Sequence, residues 1–203
     1  MVVSILLFFA GCGSNKVQSG QVSPPNNQVA ETADSVLHNH HETSSGDTAT
    51  TEVLSPPREA SATIGNSEFR VKYSAPSVRD RVIWGGLVGY DRVWVSGAHM
   101  ATSIQFNEDI YFNDNLVPAG KYAFFTIPGR DSWTVILNDN WNQHLADDYD
   151  PDLDVLRLNV VPEPHEFTEQ LRYSVSGSPA GTGIMELAWE ELKISIELRG
   201  PSI

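Results

Sequence analysis

Residues 192–198 read Leu-Lys-Ile-Ser-Ile-Glu-Leu, with an apolar side chain at every second position and Lys, Ser and Glu between them. Successive side chains of an extended strand point to opposite faces, so this run lays an apolar face on a core and a polar face in water. The same period recurs upstream. Phe69, Val71 and Tyr73 alternate with Arg70 and Lys72; Leu156, Leu158 and Val160 alternate with Arg157 and Asn159; Leu171, Tyr173 and Val175 alternate with Arg172 and Ser174. Two further runs, Tyr122–Ile127 and Trp133–Leu137, are apolar on both faces and predict central strands.

Turn chemistry separates these runs. Asn113-Asp114-Asn115 divides Ile110–Phe112 from Leu116, and Pro118-Ala119-Gly120 suits a type I turn. Pro128-Gly129-Arg130-Asp131 closes a hairpin, and Glu190-Glu191 reads as a tight link between strands 185–189 and 192–198. No amphipathic helix longer than about ten residues emerges. Residues 58–203 are therefore expected to form an all-β domain of about nine or ten antiparallel strands, a β-sandwich or jelly roll, with an open barrel as the second choice.

The chain of 203 residues carries 13 Lys+Arg against 26 Asp+Glu, a formal charge of −13. A nucleic-acid binder held by phosphate contacts needs a basic face, and so does a protein drawn to an anionic membrane surface; both are disfavoured. One Cys excludes an intrachain disulfide and any multi-Cys metal site. No apolar run reaches the roughly 18 residues of a membrane-spanning helix.

That Cys has a telling position. Residues 1–11 read MVVSILLFFAG, and Cys12 follows. An apolar stretch ending in Ala-Gly-Cys resembles a bacterial lipobox, in which cleavage before the Cys precedes its acylation. Met1–Ser4 lack the Lys or Arg of a signal peptide, which places the expected start of the protein upstream. Residues 13–57 hold no aromatic side chain and are rich in Ser, Thr, Asn, Gln and Pro. Such a stretch buries too little apolar surface to offset its ordering entropy and is expected to be a disordered tether, with an end-to-end distance of about 35–40 Å. Lys16 against five acidic residues gives it −4, leaving −9 for 58–203. His38, His40 and His41 cluster within it, but a disordered site without supporting hydrogen bonds is a poor metal ligand set.

Between Pro76 and Thr102 the strand rhythm stops. Arg81, Trp84, Tyr90, Trp94 and His99 lie there among Gly85, Gly86, Gly89 and Gly97. Long loops on a β scaffold often carry binding sites, and aromatics beside Arg and Asp suit a sugar or other polar ligand. The glycines match neither a phosphate loop nor a dinucleotide fingerprint. The structural alternative is a flap whose aromatics cap one end of the sandwich. His99 is the loop's only His, without a Ser-His-Asp spacing or a G-x-S-x-G elbow around it. A second cluster, Asp147, Asp148, Asp150, Asp152 and Asp154, offers oxygen ligands for Ca²⁺ but lacks the EF-hand Gly and closing Glu, so a solvated acidic loop is expected.

The successive stretches YSAPSVRDRVIWGGLVGYDRVW, GAHMATSIQF, VPAGKYAFFTIPG, WTVILN, DVLRL and LAWEELKISI resemble, in this order, the domain-of-unknown-function 2911 family of secreted or lipid-anchored bacterial proteins. The resemblance runs from about Glu59 to Ile196. It implies a β-rich envelope domain and no established activity, substrate or cofactor. Where Val95 stands the family commonly has Arg, and where His99 stands, Asn.

The expected organisation is thus a signal segment over 1–11, a lipidated Cys12 with its tether over 12–57, and a β domain over 58–203. The expected function is non-enzymatic binding of a small-molecule, glycan or protein ligand in the bacterial cell envelope, membrane-anchored through Cys12, with Arg81, Trp84, Tyr90, Trp94 and His99 as binding candidates. No catalytic residue, cofactor, metal or nucleic-acid partner is expected. The rival is a hydrolase using His99 with loop carboxylates or hydroxyls.

Overall fold

The alternating runs become strands whose apolar faces meet between two antiparallel sheets. A computed structural model describes residues 54–201; Cys12, the signal segment, the tether up to residue 53 and the His38–His41 cluster lie outside the described residues. Ten strands follow in order: β1 (Pro57–Ile64), β2 (Ser67–Ser74), β3 (Thr102–Phe106), β4 (Ile110–Phe112), β5 (Asn115–Val117), β6 (Gly120–Ile127), β7 (Trp133–Asn138), β8 (Asp154–Val160), β9 (Glu163–Gly177) and β10 (Thr182–Arg199). Six of them form one sheet in the order β1-β2-β3-β6-β7-β8, and four form the other in the order β5-β4-β10-β9. The sandwich expected from the alternation is what the chain forms. Among the described residues the one helical element is a 3-10 turn, Pro151–Leu153.

The core sits between the sheets. Phe69, Val71, Ile104, Phe106, Phe124, Val135 and Leu137 enter it from the six-stranded sheet, and Phe112, Leu171, Leu187, Ile194 and Ile196 from the four-stranded one. Each such burial is worth roughly 1.5–3 kcal/mol. Phe69, Phe106 and Phe112 couple the two layers with ring centroids 5.6–6.0 Å apart.

Glu190-Glu191 departs from expectation: it is no turn. Residues 182–199 form one strand, and the pairing with β9 shifts register on both sides of Glu190. Glu190 adopts φ 56. The inward parity changes there, from Met185, Leu187 and Trp189 to Ile194, Ile196 and Leu198. A bulge swaps the faces of a strand without reversing it, and in a sequence that swap looks like a turn.

β6 and β7 are apolar on both faces for a visible reason. Their outward Ala123, Phe125 and Ile136 are roofed by Val93, Val95 and Ala101 from one connection and by Ala146 and Tyr149 from another. The roof covers the middle of the six-stranded sheet and leaves exposed the outward residues Arg70, Lys72 and Gln105 of β2 and β3 on one side and Val155, Arg157 and Asn159 of β8 on the other.

Candidate functional site

The Pro76–Thr102 connection is pinned to both sheets. Leu171 N–H donates to the Pro76 carbonyl at 2.9 Å and Val78 N–H to that of Glu169 at 2.8 Å, extending the edge of β9. Ile83 and Val88 are buried in the core. Between them the chain makes a tight loop closed by Gly85 N–H to the Val88 carbonyl and Val88 N–H to the Ile83 carbonyl. A Cβ at Gly86 would stand 2.3 Å from the Val82 carbonyl oxygen, and one at Gly85 (φ 81) 2.7 Å from the Tyr90 ring, so both positions need glycine. Further on, Trp94 and Thr126 exchange backbone hydrogen bonds at 2.8 and 3.0 Å, continuing the pairing of β6 beyond β3.

Of the five candidates of this loop, Tyr90 and Trp94 line one hollow of about 530 Å³ along the Gly85–Gly89 turn, and Arg81, Trp84 and His99 stand outside its lining. Trp84 and Trp94 meet Trp133 and Trp189 in a four-indole cluster: Trp84 lies 4.7 Å from Trp133, 5.8 Å from Trp94 and 5.9 Å from Trp189, and Trp94 stacks on Trp189 at 5.7 Å. Trp94 donates from Nε1 to the Gly97 carbonyl at 3.3 Å. The indole N–H groups of Trp84, Trp133 and Trp189 find no hydrogen-bond partner among the described residues. Trp84 stands at 80° and 83° to Trp94 and Trp189, the edge-to-face arrangement in which an N–H is offered a π face. Arg81 spends its guanidinium inside the loop, on the carbonyls of Ser77 at 2.6 Å and Val78 at 3.1 Å. The Tyr90 ring packs on Gly85 and lies 4.7 Å beneath Arg130.

His99 is exposed, with φ 63. Its carbonyl accepts from Leu145 N–H at 2.7 Å, while its ring has no hydrogen-bond or ion-pair partner among the described residues. Ser96, next in reach along the chain, is fully buried: its Oγ lies 3.0 Å from Thr126 Oγ1, and its carbonyl accepts from Tyr173 OH at 2.8 Å and Thr102 Oγ1 at 3.0 Å. Burial pushes the Tyr173 phenol well above its ordinary range. No nucleophile–His–acid array is assembled there.

The aspartates of 147–154 are divided among separate tasks. Asp154 Oδ1 accepts from Asn138 at 2.8 Å, and its Oδ2 from Tyr149 OH at 2.7 Å and Arg157 at 2.6 Å. Asp150 caps the 3-10 turn by accepting from Asp152 N–H at 3.0 Å. Asp147 Oδ2 lies 3.3 Å from His144 Nδ1. Burial, and then the bond to Asp154, push the Tyr149 phenol up to about 12. Among the described residues no group of three or more His, Cys, Asp or Glu stands ready for a metal ion.

The structure gathers another set of residues where the roof ends. A cleft of about 270 Å³ is lined by Lys72, Ser74, Met100, Ala101, Ser103, Lys121, Trp141 and Asn142, among others. Its floor is the open outer face of the sheet, where register places Lys72 opposite Ser103 and Gln105 opposite Lys121. Its wall is the roof edge, fixed by Ala101 N–H on the Gln143 carbonyl at 2.9 Å and a bridge between Met100 and His144. The Lys121 ammonium lies 3.3 Å from the Trp141 ring centroid. Lys121 has no carboxylate within 4.0 Å among the described residues, whereas Lys72 reaches Glu59 at 3.7 Å. Burial, and then the like charge of Lys72, lower the Lys121 pKa. Trp141 and Met100 remain 40% and 47% exposed, high for side chains of that size. A shallower hollow shares Lys72 and continues over Pro57, Arg58 and Glu59.

Of these cleft residues only Met100 and Ala101 fall in the connection that the sequence singles out. Lys72 is an unremarkable polar position of an alternating strand and Lys121 stands at the start of a doubly apolar one; β3 between them brings the two onto one patch of sheet. Trp141 did carry a signal, as the single aromatic in the polar run NDNWNQHLADD at 138–148. Two other hollows, of about 400 and 470 Å³, lie around the β9–β10 turn. Their lining carries the carboxylates Glu108, Asp114 and Glu197 against one cation, Arg199, which lies 4.1 Å from the Tyr111 ring centroid.

The molecule is thus of the β-sandwich class, with a partly roofed sheet and a cationic, aromatic-edged cleft on its outer face. Residues 55–198 match the model of the DUF2911 family, described as proteins of unknown function, and the chain belongs to that family. Comparison with curated proteins and with solved structures finds no match.

Proposed function

We propose that this chain is a bacterial envelope protein, anchored by lipid on Cys12, whose sandwich binds a ligand without chemically altering it. The observation that carries the binding reading is the cleft. In a folded part of net charge −9, Lys121 has no carboxylate partner among the described residues and stands beside Lys72 and against the half-exposed Trp141. A concave site with a few converging polar groups and an aromatic surface is the usual form of a ligand site. The anchoring reading rests on Ala10-Gly11-Cys12 after an apolar run. Two acyl groups on such a Cys give stable attachment.

Each half has its own test. With the gene expressed with its native signal, Cys12→Ala is expected to release the protein into the soluble fraction; unchanged membrane association refutes the anchor. An array of neutral and acidic saccharides probed with the full chain and with Trp141→Ala tests the cleft. Binding lost in the variant, at unchanged melting temperature, supports it; binding that survives places the site elsewhere.

A further inference from the structure

Resting on that reading of the cleft, we infer that its ligand is an anionic saccharide, a chain of sugars bearing carboxylates. Three features of the cleft point the same way. The first is charge. Lys72 and Lys121 share the floor, and the neighbouring pair across the strands is Arg70 with Gln105. Glu59 lies 3.4 Å from Arg70 and 3.7 Å from Lys72 and is the carboxylate paired with them, so the patch keeps an excess of positive charge. Burial and Lys72 both disfavour the charged form of Lys121; the opposite charge of a bound anion would offset them.

The second feature is the indole. Trp141 is two-fifths exposed at the rim, and an aromatic face offers a pyranose ring an apolar platform for its C–H groups. The third is the mixture of donors and acceptors around it. Ser103 and Asn142 supply a hydroxyl and an amide, the neutral partners that sugar hydroxyls need and that a bare phosphate site does not require. The cleft of about 270 Å³ is small, and the hollow over Pro57, Arg58 and Glu59 borders it at Lys72 and Tyr73. Two adjacent hollows suit a chain, with one sugar held at Trp141 and its neighbours laid across β2 and β1.

The test is a titration of the full chain with oligogalacturonate, a neutral maltooligosaccharide of equal length and inorganic polyphosphate, read by tryptophan fluorescence and calorimetry. The uronate is expected to bind saturably and more weakly as NaCl rises. Lys121→Gln is expected to lose roughly tenfold or more in affinity, the loss typical of a hydrogen bond to a charged group. Trp141→Phe is expected to weaken uronate binding less than Trp141→Ala does, and all three variants to melt with the parent. If the neutral sugar binds equally well and Lys121→Gln binds unchanged, the anionic inference fails while the binding cleft stands. If polyphosphate competes with equal strength in Trp141→Ala, the site reads charge alone and the saccharide assignment fails. If no probe binds and Trp141 fluorescence never changes, the cleft reading falls with it.

Discussion

Trp84→Ala separates the two roles open to the Pro76–Thr102 connection. Trp84 stands in edge or tilted contact with three other indoles, at 4.7, 5.8 and 5.9 Å. Aromatic pairs are worth about 0.5–1.5 kcal/mol each beyond the area they bury, so three amount to about 1.5–4.5 kcal/mol. Trp84 is half-buried, which trims the area contribution. The expected total is therefore about 3–5 kcal/mol, the range of aromatic-to-Ala changes in cores. At about 2–4 °C per kcal/mol for a domain of this size, the melting temperature should fall by about 6 °C or more. Trp84→Phe keeps a ring in the cluster and removes an indole N–H that is buried without a partner. Leaving such a donor unsatisfied costs about 1–3 kcal/mol, so the Phe variant should recover most of the loss. Differential scanning calorimetry on both variants reads the result. An Ala variant that melts within about 2 °C of the parent would mean that the indole is not holding the sandwich closed, and would return Trp84 to the list of ligand contacts.

Other residues give independent checks. Glu190→Gly removes left-handed strain at φ 56 and should leave stability unchanged or raise it by up to about 1 kcal/mol; Glu190→Val should lower it, and equal melting of the two would contradict the bulge. Tyr149 has its pKa raised to about 12 by burial and by Asp154. A phenol of ordinary pKa about 10 when unfolded then contributes stability in full below about pH 10 and loses it as pH rises through about 12. Tyr149→Phe should flatten that alkaline fall in unfolding curves taken at stepped pH. Millimolar Ca²⁺ at matched ionic strength should leave the melting temperature unchanged. A shift of several degrees that disappears in Asp150→Asn/Asp152→Asn would show that the aspartate loop binds the ion. Gly86→Ala should destabilise strongly, because the new Cβ would lie 2.3 Å from the Val82 carbonyl oxygen; a wild-type melting temperature would refute the tight 82–88 turn.

The layer structure was legible because alternation is a local property. Phe69, Val71 and Tyr73, or Leu156, Leu158 and Val160, announce their buried face in five residues, and all six are buried. The doubly apolar β6 and β7 read as central strands, as they are, but the roof over their outer face was not legible; Val95, Ala101 and Tyr149 come from segments too irregular to read. Glu190 was misread because a bulge and a turn both break parity, and only long-range pairing with β9 tells them apart. The loop aromatics were noticed for the right chemical reason, but Trp133 and Trp189, on distant strands, claim Trp84 and Trp94 first. The cleft was illegible for the converse reason. Lys72 and Lys121 are ordinary outward residues until β3 places them on one patch of sheet.

Backbone strain is concentrated in the connection after β2, and one strained pair flanks the wall of that cleft. Among the described residues eight non-glycine positions have positive φ, and five of them, Arg79, Asp80, Asp91, Ser96 and His99, lie in the connection after β2. A sixth, Leu145, lies in the segment beside it. Each costs on the order of 1 kcal/mol or more and persists only where the surroundings over-determine it. The surroundings do so here. Ser96 is fixed by the Tyr173, Thr102 and Thr126 hydroxyls. His99 and Leu145, both left-handed, are tied to one another by a 2.7 Å hydrogen bond. Immediately next to that tie, Met100 bridges to His144, and Ala101 is bound to Gln143. A roof needed only to cover Phe125 and Ile136 has no use for two strained residues locked together at its margin; any apolar contact would serve. A margin that positions Met100 and Ala101 at the edge of the cleft does, and His99 takes part in it through its backbone carbonyl.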